Sequence, residues 1–145
     1  MADKIMRTPI QLDLFSQPTL NVSKAIKAAM ADDARDCGMS REQLVDRMND
    51  IAERHGVCLT HGNSQRLTID TLEKWLNVSD PRHIPLKALT VFCAAVGRWS
   101  VLDVVARSLG LMVIGDREQK MLAWAEAKIE VQRKSRQIRK IESEL

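Results

Sequence analysis

Ser40-Arg41-Glu42-Gln43 constrains this chain more than any other stretch, because it is a capping box. The Ser hydroxyl can accept from the backbone three residues on, and the Gln there can reach back to the Ser amide. Met39 before it and Leu44 after it are spaced as a hydrophobic staple. Leu44, Val45, Met48, Ile51 and Ala52 then recur at helical spacing, and His55-Gly56 closes the run. A helix of about four turns, with one apolar stripe and both ends specified, commits this part of the chain to helix-on-helix packing.

The same punctuation recurs on either side. Val22, Ile26, Ala29, Met30 and Ala34 predict a first helix, stopped at Gly38. Thr68 caps a short helix from Ile69 to Leu76, with Ile69, Leu72, Trp75 and Leu76 on one face, and the stretch from Asn77 to Pro81 breaks it. Pro85 suits the first turn of a fourth helix whose core is Leu86, Leu89, Phe92, Cys93 and Val96. Ser100 opens a fifth, with Trp99 stapled against Val104, burying Leu102, Val105 and Leu109 and ending at Gly110. Val57 to Leu67 is open between a small hairpin and an irregular loop. Leu111 to Ile114 is a short apolar strip expected to close the domain or to pair as an edge.

Composition supports an all-α reading. Aromatics are 3% of the chain and Tyr is absent, which disfavours a β-sandwich and suits helices packed through Leu, Ala, Val and Met. No apolar run approaches the roughly 18 residues a membrane helix needs. Cys37, Cys58 and Cys93 are an odd, scattered set, so free thiols in a reducing cytoplasm are expected. The 145 residues divide into an extended N-terminal arm (1–21), a helical domain (22–115) and a C-terminal helix (116–145). Residues 22–115 hold 12 Lys/Arg against 11 Asp/Glu, so any basic face there must arise by segregation.

From Ser40 to Gly110 the chain resembles the lambda-repressor-like helix-turn-helix domain. The residues that carry the likeness are the capped second helix, Ile69-Asp70-Thr71-Leu72-Glu73-Lys74-Trp75-Leu76-Asn77, and Pro85-Leu86-Lys87-Ala88-Leu89. Met39-Ser40-Arg41-Glu42, the Trp-bearing third helix and Phe92-Cys93-Ala94-Ala95-Val96-Gly97 look still more like small regulators of Mu-like and other temperate phages. The resemblance implies a five-helix lambda-repressor-like fold, a bacterial or prophage origin, and a DNA-linked role in transcription or replication control. It also implies that the third helix reads double-stranded DNA, through Thr68, Asp70, Thr71, Lys74 and Asn77 with Gln65 and Arg66 just before it. Thr, Asn, Gln, Lys and Arg suit base edges and phosphates, whereas Asp70 and Glu73 repel phosphate. One departure bears on this: about a dozen residues separate His55 from Thr68, where a tight helix-turn-helix uses three or four. A scaffold that only binds protein stays open.

Catalysis finds no footing. There is no nucleophile elbow, no glycine loop for phosphate, and no carboxylate pair that stands out from helix-surface charge. His55, Cys58 and His61 are three apart, but zinc wants four ligands, and Cys37 and His83 are distant; the expectation is no metal, no cofactor and no enzyme.

Two ends remain. Gln11-Leu12-Asp13-Leu14-Phe15, bracketed by Pro9 and Pro18, resembles the pentapeptide by which many bacterial replication and repair proteins dock on the sliding clamp. That implies a polar notch for Gln11 and an apolar groove for Leu14 and Phe15. The alternative is an arm whose Leu12, Leu14 and Phe15 cover an apolar patch of the body or of a dimer partner. At the other end, Trp124, Val131, Ile138 and Leu145 recur every seven residues, with Ala127 and Ile141 adding to the stripe and Lys128, Ser135 and Glu142 interrupting it. A weak homodimer through this coiled-coil-like seam and a helix lying on its own domain are both open. Arg133 to Lys140 holds five cations in eight residues, either a solvated face or a phosphate-contacting extension.

Overall fold

A computed structural model describes residues 19–61 and 66–145. Among the described residues there are six helices and no strand: α1 (Ser23–Asp36), α2 (Arg41–His55), α3 (Ile69–Leu76), α4 (Leu86–Val96), α5 (Ser100–Ser108) and α6 (Asp116–Glu144). The described residues divide into two compact units, one ending at Leu111 and the other running from Met112 to Leu145. The boundary falls inside the strip expected to close the domain. Leu111 and Met112 are exposed, and no strand forms there.

The capping chemistry sets the helix starts as expected. The Ser40 hydroxyl accepts from the Gln43 amide at 3.2 Å, and the Gln43 side chain accepts from the Ser40 amide at 3.0 Å. Thr68 accepts from the Thr71 amide at 3.3 Å. Gly56 ends α2 at φ 65°, a left-handed conformation that costs glycine nothing. Pro85 sits one residue earlier than expected, as the cap of α4 rather than inside its first turn, and its carbonyl accepts from Ala88 and Leu89.

In the first unit α1 packs on α5 and α3, and α2 packs on α4 and α3. The core they enclose includes Met30, Leu44, Met48, Leu72, Trp75, Phe92 and Val101, with Leu59 and Leu67 contributed by the segment between α2 and α3. That segment, in its described parts, is irregular rather than a hairpin. Asn49 of α2 fixes its far end: the buried Asn49 amide nitrogen donates to the Leu67 carbonyl at 3.0 Å, and its oxygen accepts from the Leu67 amide at 2.8 Å. A side chain here satisfies both polar groups of one buried residue, as a neighbouring strand would.

Four expected core positions are corrected, the first being Ile69, which is 39% exposed and lies outside the inward set of α3. Leu86 is 83% exposed, because with Pro85 as cap it stands at the rim of α4 while Ala88, Leu89, Val91, Phe92, Ala95 and Val96 face inward. Leu102 and Leu109 are exposed as well; α5 instead buries Val101, with Val104 packed against the core. The nearly continuous apolar run from Val101 to Val105 does not select a face by period. A polar contact does: the Ser100 hydroxyl donates to the buried Asp33 carboxylate of α1 at 2.7 Å, which turns Val101 inward. Trp99 is 55% exposed, so it is at most a partial staple.

α6 makes up nearly all of the second unit. It runs for 29 residues and buries none of them, leaving Trp124, Ile129, Val131, Ile138 and Ile141 more than half-exposed or at half-exposure.

Candidate nucleic-acid interface

α3 turns Leu72, Trp75 and Leu76 into the core, and this orients its opposite side outward. Asp70, Lys74 and Asn77, at spacings of four and three, share that side, with Thr71 half-buried beside them and Thr68 at the cap. Arg66 precedes the helix, is exposed, and makes no ion pair among the described residues. Gln65 lies outside the described residues, as do Gln11, Leu12, Asp13, Leu14 and Phe15. Five of the seven expected reader positions are therefore brought together on one short helix or at its two ends.

Their hydrogen-bonding capacity is already partly in use. The Thr68 hydroxyl is occupied by the cap and lies 3.1 Å from the Thr71 hydroxyl. The Asn77 side-chain oxygen accepts from the Ser79 amide at 3.0 Å, shaping the turn out of α3. The cations carry partners too. Lys74 lies 2.5 Å from Asp70, and Arg41, from the first turn of α2, lies 2.7 Å from Glu73. The Lys74 amine, by hydrogen bond and by charge, holds the Asp70 carboxyl below its ordinary range, and Arg82 adds to this. Arg41, Asp70, Glu73, Lys74 and Asn77 line an open cleft of about 320 Å³. Positive charge is thus present on this side of the unit but interleaved with carboxylates, not segregated from them.

A buried lysine supports the helix from behind. Lys27 of α1 is 2% exposed, and its amine donates to the Lys74 carbonyl at 2.9 Å and to the Arg82 carbonyl. One ammonium thereby ties α1 to the last turn of α3 and to the segment leading into α4, where carbonyls without helical partners accumulate negative dipole. Burial lowers the Lys27 pKa, and Asp80 acts against that. Neither Lys27 nor Asn49 stood out in the sequence. Lys27 does sit three residues before Met30 on the apolar stripe of α1, and a charged residue on such a stripe signals a buried polar tie.

No group of three or more His, Cys, Asp and Glu side chains among the described residues is placed to hold a metal ion. The three cysteines carry free thiols. No helix of the described residues is long and apolar enough to cross a membrane. In α6, Lys128 stacks its amine 4.8 Å from the centre of the Trp124 ring, and Lys134 pairs with Glu130 at 3.0 Å.

No protein-family model, no curated protein sequence and no solved structure matches the chain.

Proposed function

We propose that this chain is a non-enzymatic DNA-binding protein that offers α3 to duplex DNA, of the kind that controls transcription or replication in a phage or prophage. One observation carries the reading. Apart from Ile69 in its first turn, the outward side of α3 is made of hydrogen-bonding and charged groups, with no aromatic or large aliphatic anchor. Protein-binding hot spots are built on such anchors, set in desolvated pockets. Base edges and phosphates are met by the Thr, Lys, Arg and Asn found here. The phage context rests on the sequence resemblance alone.

The carboxylates shape the binding expected. With Arg41 and Lys74 held by Glu73 and Asp70, nonspecific attraction to phosphate is damped, and discrimination between sequences falls to the short polar side chains. The test is fluorescence anisotropy on mixed-sequence duplex DNA with three proteins: the parent, Asp70→Asn with Glu73→Gln, and Arg66→Ala with Lys74→Ala. Neutralising the two carboxylates should tighten binding several-fold and steepen its salt dependence, since each phosphate contacted adds about −0.9 to the log–log salt slope. Removing the two cations should weaken binding. Duplex binding absent from both the parent and the carboxylate-neutralised protein would overturn the proposal.

A second reading rests on Gln11-Leu12-Asp13-Leu14-Phe15, whose five letters fit the sliding-clamp pentapeptide. On that reading the chain is an adaptor docked on the clamp. A peptide spanning residues 8–18 should then bind bacterial clamp at micromolar affinity, about −7 to −8 kcal/mol, and lose it when Leu14 and Phe15 become Ala. No calorimetric signal for the peptide would remove this reading.

A further inference from the structure

We infer that α6 pairs with the α6 of a second copy of this chain, the two helices running antiparallel as a short two-stranded coiled coil. The inference uses α6 alone, so it stands or falls apart from the DNA reading. Helices of this kind owe most of their stability to tertiary packing, and within its own unit this 29-residue helix has no other helix to pack on. What needs covering is a single seam. From Trp124 to Leu145, apolar residues return at alternating spacings of three and four, the pattern that keeps one line of contact facing a partner; on this line the interruption is Lys134, while Lys128, Ser135 and Glu142 each lie one residue past it.

Size and charge choose both the occupant and its direction. In a parallel pair, each layer meets its own copy. Trp124 would face Trp124 and Ala127 would face Ala127, giving one overfilled and one underfilled layer, and two Lys134 ammoniums would share a core layer. The five cations of residues 131–141, a stretch without any acid, would also lie beside the same five. In an antiparallel pair centred between residues 132 and 133, Trp124 faces Ile141, Ala127 faces Ile138, and Val131 faces the aliphatic stem of Lys134. Large residues meet small or medium ones in each of these three layers, and Leu145 lies against the aliphatic stem of the partner's Lys120. The Lys134 amine already reaches Glu130 at the edge of its own helix, 3.0 Å away, which lets its stem fill the layer while the charge stays in water. Arg136, Arg139 and Lys140 then run beside the partner stretch that holds Glu126 and Glu130 instead of beside themselves. The seam of α6 fits another α6 in this direction and repels it in the other.

The full-length chain tests this without alteration. Light scattering from micromolar to hundreds of micromolar protein should show a concentration-dependent dimer. Ile138→Glu should raise the dimer dissociation constant at least tenfold while the trough of helical circular dichroism becomes shallower. Direction is read by joining ¹⁴N- and ¹⁵N-labelled chains with a short amine–amine linker. The antiparallel pair brings Lys120 within about 8 Å, along the axis, of the partner's Lys140, whereas a parallel pair separates them by about 30 Å at 1.5 Å per residue. Mixed-isotope Lys120–Lys140 links are therefore expected. A chain that stays monomeric, a dimer indifferent to Ile138→Glu, or mixed links dominated by Lys140–Lys140 would each overturn the inference.

Discussion

Arg41 and Glu73 stand 32 residues apart in the chain and 2.7 Å apart in the fold, so the first turn of α2 and the exposed side of α3 are joined by an ion pair at the mouth of the candidate interface. Both side chains are substantially solvated, and water screens the pair. A double-mutant cycle on Arg41→Ala and Glu73→Ala should give a coupling of about 0.2–1 kcal/mol, shrinking in molar salt. A coupling several times larger would show that the pair holds α3 in place rather than sitting on its surface.

Asn49 should matter far more to stability. Asn49→Ala removes both partners of the buried Leu67 backbone. Leaving one buried donor and one buried acceptor unsatisfied should cost about 2–5 kcal/mol in urea unfolding. Asn49→Asp restores the acceptor but not the donor, and should recover part of the loss. Unchanged midpoints for both variants would mean that water replaces the side chain.

Trp75 and Leu86 provide a paired test of which side of each helix faces inward. Trp75 is 4% exposed, so Trp75→Ala should destabilise by about 3–5 kcal/mol. Leu86 is 83% exposed, and Leu86→Ala should fall within about 0.5 kcal/mol of the parent. Thermal melts in which the two variants exchange these effects would invert the description of α3 and α4.

Cys93 gives the fold a sensitivity to alkali. Burial, reinforced by the Asp33 carboxylate, raises the Cys93 pKa above that of an ordinary thiol. The unfolded chain then releases this proton at a lower pH than the folded one. The stabilisation is complete below the unfolded thiol pKa and is lost as pH rises through the folded value. Urea melts from pH 7 to pH 10 should therefore fall more steeply for the parent than for Cys93→Ala, and at pH 8 Cys93 should alkylate more slowly than glutathione. Parallel pH profiles would refute the assignment.

How much of this was readable before the structure depended on whether the information was local. The starts of α2 and α3 were written in Ser40, Gln43 and Thr68, because capping needs only residues three apart. The inward set of α3 was legible in Leu72, Trp75 and Leu76 but not in Ile69, which stands in the first turn and stays exposed. α5 was misread because its apolar residues nearly adjoin, and the choice of side was made by Asp33 through Ser100, 67 residues apart. Lys27 and the Arg41–Glu73 pair escaped for the same reason: each is a long-range polar contact that hydrophobic spacing does not encode. In the candidate interface, residue types were legible, while the pairing of its cations with neighbouring carboxylates was not.

The grip of Asn49 on Leu67 also sets where the chain re-enters the core ahead of α3. Leu59 is buried and Leu67 is held by a side chain of α2, so each of these two positions is fixed by its own contacts. Lengthening the span between them adds only the entropy of closing a larger loop, about 0.6 kcal/mol for each doubling. An epitope tag or a fluorophore inserted between Leu59 and Leu67 is therefore expected to leave α3 where it is, since α3 is held from Leu67 onward.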